Sequence, residues 1–244
     1  MRKTTATPIN CNLMAINVEV LKTRSLTAVV FVAVMLTGLL WNQWSFITLF
    51  TIVHFGCWYE FVKLMKKIYG EKYLLYSLLG LVYITMPILM LLDFGIEFSE
   101  IDGFYLVRAL PVGIICSIWI NDTMAYLVGS MIGKTPFSKI SPKKTWEGTV
   151  GGAVLCVLTV GFFFPLLANK YFVSHPIGYS FFIIAAICAV FGTAGDLLES
   201  KIKRMADVKD SGSIMPGHGG FLDRFDSLLV AVPFVWLYVR LFVR

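Results

Sequence analysis

Apolar runs at residues 26–41, 44–62, 73–92, 104–128, 149–168, 177–197 and 226–243 restrict the fold of this chain more than any other feature. Each approaches the roughly 20 residues an α-helix needs to cross the hydrocarbon core of a bilayer. Because a helix satisfies its own backbone hydrogen bonds in lipid, the expected fold class is all-α, a polytopic integral membrane helical bundle with about seven transmembrane helices. Composition agrees, with 57% of the 244 residues hydrophobic and 15% charged, against about 45–50% and 25% in soluble domains. One membrane-embedded domain, 22–244, accounts for the length. Residues 1–21 are mixed and weakly patterned and read as an N-terminal extension, with disorder the expectation. A basic start and no small-residue cleavage site speak against a removed signal peptide.

A net charge of +6 could suggest nucleic acid, but the basic residues sit mainly in short segments between apolar runs. That is the positive-inside pattern of membrane proteins, so no nucleic-acid partner is expected. Lys22 and Arg24 precede the first run, Lys63, Lys66, Lys67 and Lys72 follow the second, and Lys134, Lys139, Lys143 and Lys144 follow the fourth. These ends are expected to be cytoplasmic. The same count puts the polar loops 129–148 and 198–220 on one side of the membrane, where they can build one site. It leaves Arg240 and Arg244 at the far interface, against the bias. The five cysteines are scattered with no close pair and read as packing residues.

From Asp196 the sixth run changes character. Asp196, Ser200, Lys203 and Arg204 fall at i, i+4, i+7 and i+8, one helical face. Snorkelling to the interface would explain the cations, but a carboxylate inside an apolar run is a functional candidate. The stretch 208–220 that follows holds four glycines, which allow either an ordinary turn or a close approach of backbone amides to phosphate. Within it Lys209 suits phosphate, Asp210 a metal or a sugar hydroxyl, and His218 sits in a glycine turn. Asp223 and Asp226, at i, i+3, share one side of the next helix's first turn. Two carboxylates so close suit Mg2+, which takes few carboxylates and completes its shell with water and phosphate. In the other loop, Ser141 and Pro142 suit a helix start, which would put Lys143 and Lys144 in its first turn, tolerable if an anion docks there. Asn121 and Asp122 either add polar ligands or end the fourth helix.

The run from Ser200 to Asp226 reads Ser-x-Ile-Lys-Arg, Val-Lys-Asp and Pro-Gly-His-Gly-Gly-Phe-x-Asp-Arg-Phe-Asp. It closely resembles the signature of the phosphatidate cytidylyltransferases, or CDP-diacylglycerol synthases. Asp122-Thr-x-Ala-Tyr126 with Gly129 and Gly133-Lys134, and Ser141-Pro-Lys-Lys-Thr-x-Glu147-Gly148, resemble the same family, and the likeness covers about 22–243. It implies a polytopic enzyme, commonly a homodimer, that condenses CTP with phosphatidate to CDP-diacylglycerol and pyrophosphate. It implies Mg2+, with room for a second cation, and a place among membrane lipids, in the bacterial inner membrane with the site facing the cytoplasm. Carried over by position, the catalytic set is Asp196, Lys209, Asp210, His218, Asp223, Arg224 and Asp226, with Asp196, Asp223 and Asp226 holding the metal. Substrate phosphates and polar groups would meet Asp122, Lys134, Ser141, Lys143 and Lys144 from one loop and Ser200, Lys203 and Arg204 from the other. Ser130 stands where the family pattern leads one to expect arginine, and residues 1–21 carry none of the motifs of this resemblance.

Two other classes fit part of this. A CTP-dependent lipid-alcohol kinase would transfer the γ-phosphate and yield CDP. A cation transporter would use Asp196, but the glycine–histidine loop and the basic clusters on one face speak against it.

Overall fold

The computed structural model describes residues 18–97, 106–171, 180–214 and 219–243. Its helices are α1 (Val18–Leu40), α2 (Gln43–Tyr69), α3 (Tyr73–Ser77), α4 (Met86–Glu97), α5 (Leu106–Ile132), α6 (Trp146–Tyr171), α7 (Ser180–Met205) and α8 (Leu222–Tyr238). Helix α1 takes in the last residues of the expected extension, and residues 1–17 lie outside the described part. Five stretches are long and apolar enough to cross a membrane: Gln43–Ser77, Ala109–Ile132, Trp146–Leu166, Ser180–Met205 and Leu222–Val243. Leu26–Leu40 and Leu81–Ile96 are shorter apolar helices. The described residues of all seven apolar runs are thus largely helical, and the chain is an all-α integral membrane protein.

Local chemistry sets the helix ends. Asn42 caps α2 by accepting from Ser45 N at 2.7 Å, while Ser45 Oγ accepts from Asn42 N at 3.0 Å. At the other end Lys66 and Lys67 occupy the last turn, favourable to the helix dipole, and Gly70 takes φ 56° to turn the chain. Tyr76 then stacks on Tyr69 with ring centroids 3.6 Å apart. From there the chain runs back along α2. The third apolar run is expected as one helix, but a π-helical turn, Leu81–Thr85, interrupts it. The interruption coincides with a polar contact across helices: Trp58 Nε1 donates to Thr85 Oγ1 at 2.9 Å, and His54 Nε2 lies 3.0 Å from the same hydroxyl.

Small residues let the remaining helices approach. On α6, Gly148 and Gly152 lie against the α5 backbone at Ala125 and Gly129. On α7, Gly195 lies against Asp226 and Ser227 of α8. Without a hydrophobic drive between helices in lipid, such close packing is a main source of association. Phe46, Phe50, Leu91, Phe94, Ile114, Phe181, Ile184 and Leu229 are fully enclosed between helices. Val29, Val30, Phe55, Leu74, Leu75, Val154, Phe162, Phe163 and Leu166 are exposed on the outside, as lipid-facing positions should be. Cys57, Cys156 and Cys188 are free and buried, consistent with packing roles.

At the far end from the polar loops, Asp93 of α4 accepts from Trp236 Nε1 at 2.7 Å and Arg240 Nη2 at 2.6 Å. Arg240, one of the two arginines that run against the positive-inside bias, is therefore neutralised by an acid at the same level. Asp93→Ala removes an acceptor from both partners and is expected to cost roughly 1–3 kcal/mol. Thermal unfolding in detergent measures it; an unchanged midpoint would show that the pair does not hold α4 to α8.

Candidate active site

The polar ends of α5, α7 and α8 and the 133–145 segment enclose one cavity of about 480 Å3. Asn121, Asp122, Ala125, Tyr126, Gly129 and Ser130 come from α5, and Thr193 and Asp196 from α7. Asp223, Asp226 and Ser227 come from α8, Thr149 from α6, and Ser141, Lys143, Lys144 and Thr145 from the connecting segment. The 129–148 loop reaches the ends of α7 and α8 that flank the 198–220 loop, and Lys144 Nζ forms an ion pair with Asp196 Oδ2 there; no described residue of 198–220 lines the cavity.

The lysine-bearing segment differs from expectation. Helix α6 begins at Trp146 rather than near Ser141, so Lys143 and Lys144 precede it and are not in its first turn. The reason is a better cap: Thr145 Oγ1 accepts from Gly148 N at 3.2 Å. Residues 133–145 instead form a hairpin-like excursion. Phe137 N donates to Lys144 O at 2.7 Å and Trp146 N to Thr135 O at 2.9 Å. Glu147 clips the base by accepting from Lys134 N at 3.2 Å and from Thr135 Oγ1 at 2.8 Å. The lysines are thereby held over the cavity by backbone pairing.

On α7 the charged side chains Asp196, Glu199 and Lys203 approach the acids of α8. Lys203 Nζ lies 2.5 Å from Glu199 Oε2 and 2.6 Å from Asp223 Oδ1. Asp223 Oδ2 accepts from Ser211 N at 2.9 Å and Gly220 N at 2.8 Å, with Ser211 Oγ also 2.9 Å away. Both oxygens of Asp223 are thus engaged by the chain itself. The carboxylates whose oxygens gather within 4.8 Å of one another are Asp196, Glu199 and Asp226. Glu199 is wholly buried, and its Oε1 has no hydrogen-bond partner among the described residues. A buried cluster of carboxylate oxygens with an orphaned acceptor suits a hard cation such as Mg2+. Glu199 takes the place in this cluster that the sequence pattern gives to Asp223.

Of the other expected site residues, Asp122, Ser141, Lys143 and Lys144 line the cavity, and Lys203 reaches its edge through Asp223. Lys134, Ser200, Arg204, Lys209, Asp210 and Arg224 do not line it. His218 lies outside the described residues. Ser130, at the position expected to hold arginine, lines the cavity and donates from Oγ to Leu127 O at 2.8 Å. Sequence reasoning missed Glu199 and Glu60. The signal for Glu199 is its i+3 spacing from Asp196, the same as that of Asp223 and Asp226; for Glu60 it is a carboxylate within the second apolar run.

The family model described as Cytidylyltransferase family matches residues 106–242. The chain is similar to the phosphatidate cytidylyltransferase of Bacillus subtilis (strain 168), 41% identical over 155 residues, covering 63% of this chain and 55% of that protein. It is 34% identical over 216 residues to the phosphatidate cytidylyltransferase of Rickettsia felis, covering 86% of this chain and 88% of the relative. With that of Rickettsia bellii the identity is 31% over 227 residues, covering 90% and 91%.

Proposed function

Because this chain belongs to the cytidylyltransferase family, we propose that it transfers the cytidylyl group of CTP to phosphatidate, giving CDP-diacylglycerol and pyrophosphate. What supports this most is the confrontation, in one cavity at the end of membrane-spanning helices, of Lys143 and Lys144 with Asp122, Asp196 and Asp226. Such a site can accept a water-soluble polyanion and a lipid headgroup together while the acyl chains stay in the bilayer.

A phosphate oxygen of phosphatidate attacks the α-phosphorus of CTP in line. The new P–O bond forms as the bond to the β-phosphate oxygen breaks, and pyrophosphate leaves with the electron pair. The nucleophile is already an anion, so the chain need not supply a strong base; the barrier lies in bringing two polyanions together. Lys143 and Lys144 offset that repulsion, Lys144 exchanging its partner Asp196 for phosphate when substrate enters. Asp196, Glu199 and Asp226 would hold Mg2+, which when bound supplies positive charge toward the triphosphate. Asp223 and Lys203 fix one another and keep the start of α8 beside α7. The lysine-rich end belongs at the cytoplasmic face of the cell membrane, where CTP is found, and the working unit is a homodimer.

The test uses purified protein with phosphatidate, Mg2+ and CTP labelled in either the α- or the γ-phosphate. Label from the α-position is expected in the lipid fraction, with pyrophosphate released. Transfer of the γ-label instead would identify a lipid kinase and overturn the proposal, as would equal use of every nucleotide triphosphate.

A further inference from the structure

Glu60 lies on α2, before the residues 106–242 that the family model matches, yet it is the carboxylate on which the start of α8 is built. It is 1% exposed. Phe221 N donates to its Oε1 at 3.0 Å and Leu222 N to its Oε2 at 2.9 Å. Ser211 Oγ lies 2.7 Å from the same Oε2.

The first amides of a helix lack partners within it, and Phe221, at the cap position of α8, offers no side-chain acceptor. Glu60 supplies the missing acceptors from another helix, and its negative charge suits the positive end of α8. The glycines of the loop make room for it. A Cβ on Gly212 would sit 2.1 Å from Glu60 Oε1, and one on Gly220 would sit 2.2 Å from Oε2. These two glycines, which the sequence leaves open to an ordinary turn or to phosphate approach, thus make room for a carboxylate of the chain itself.

Ser211 carries the contact onward. Its hydroxyl oxygen stands 2.7 Å from Glu60 Oε2 and 2.9 Å from Asp223 Oδ2, within donating distance of both, and its backbone N donates to Asp223 Oδ2. Asp223 holds Lys203, which holds Glu199 of the carboxylate cluster. Asp226 lies one turn beyond Asp223 on α8.

We infer that Glu60 is a positioning residue for the cytidylyl transfer proposed above: by fixing the first turn of α8 and Ser211, it sets the geometry of Asp223 and Asp226. The inference rests on that functional reading. It is tested with Glu60→Gln, whose amide nitrogen would face the backbone N–H of either Phe221 or Leu222, donor against donor, and with Ser211→Ala, which keeps Glu60.

Three quantities are measured on purified full-length protein: kcat and KM, Mn2+ binding by electron paramagnetic resonance without substrate, and thermal unfolding. Glu60→Gln is expected to lower kcat and weaken Mn2+ binding by roughly tenfold or more, as loss of an outer partner does at other metal sites, with KM for CTP little changed. Ser211→Ala is expected to shift the same two quantities less, and the double variant to be no worse than Glu60→Gln alone. If Glu60→Gln does not fold, Ser211→Ala decides, and unchanged kcat and Mn2+ binding there would overturn the inference. Wild-type kcat and Mn2+ binding in a folded Glu60→Gln would overturn it too. A wild-type protein inactive with CTP and phosphatidate would instead remove the functional reading.

Discussion

Asp226→Asn is expected to reduce cytidylyl transfer by roughly a thousandfold, the scale seen when a preorganised charge-stabilising group is lost, while the protein still folds. Asp226 is 7% exposed and stands in the first turns of α8 with its oxygens near those of Asp196 and Glu199. Ser227 N donates to Asp226 Oδ1 at 2.6 Å, and an asparagine oxygen can accept that bond in the same place. The shape is kept and one negative charge is removed. In metal-free protein that charge sits buried among other carboxylates, an unfavourable position, so the thermal midpoint without divalent cation should be equal or higher. Activity and stability are thus predicted to move apart. Transfer of α-label from CTP to lipid and thermal unfolding with and without Mg2+ check this. Substantial residual transfer in folded protein would take Asp226 out of the proposed cation site; a collapse of stability would make its role one of packing.

Much of this architecture is legible in the amino-acid order because lipid imposes it. Long apolar runs must become helices, and loop charge fixes which ends lie together, so the approach of 129–148 to the ends of α7 and α8, where Lys144 meets Asp196, follows from counting. The break at Leu81–Thr85 does not, because the contact it coincides with, Thr85 with His54 and Trp58 of α2, joins residues 31 and 27 positions apart. The site is legible by residue type and less so by partner. Asp196, Asp223, Asp226, Lys143 and Lys144 do come to one cavity. The division of labour among the acids depends on contacts that periodicity cannot supply. Asp223 is occupied by Lys203, Ser211 and Gly220, and Glu199, one turn beyond Asp196, is the acid left facing Asp226. Glu60 is harder still, since its partner Leu222 is 162 positions away. The one-face reading of Asp196, Ser200, Lys203 and Arg204 is right for the pair that meets α8. Arg204 is exposed, because a face some 100° wide meets a neighbour along only part of its width.

The cavity depends as much on how near α5 and α6 can come as on its charged groups, and Gly152→Val is expected to show it. A Cβ at Gly152 would lie 2.5 Å from Ala125 N and 2.6 Å from Ala125 Cα, both backbone atoms of α5. No rotamer change relieves that contact, so the helices must separate. Overpacking of a close contact costs typically about 1–3 kcal/mol, occasionally more, and a branched side chain against backbone belongs at the upper end. Gly151 provides the contrast, because a Cβ there meets Val128 Cγ1 at 2.7 Å, a side-chain atom that can move. Gly151→Ala should therefore be milder. Asp122 on α5 and Thr149 on α6 line the cavity within one turn of the crossing, so spreading the helices moves them apart. Gly152→Val is accordingly expected to lower both the thermal midpoint in detergent and the kcat of whatever protein folds, whereas Gly151→Ala lowers neither by much. Equal stability and turnover in the two variants would mean that the crossing tolerates separation and that the cavity does not depend on it.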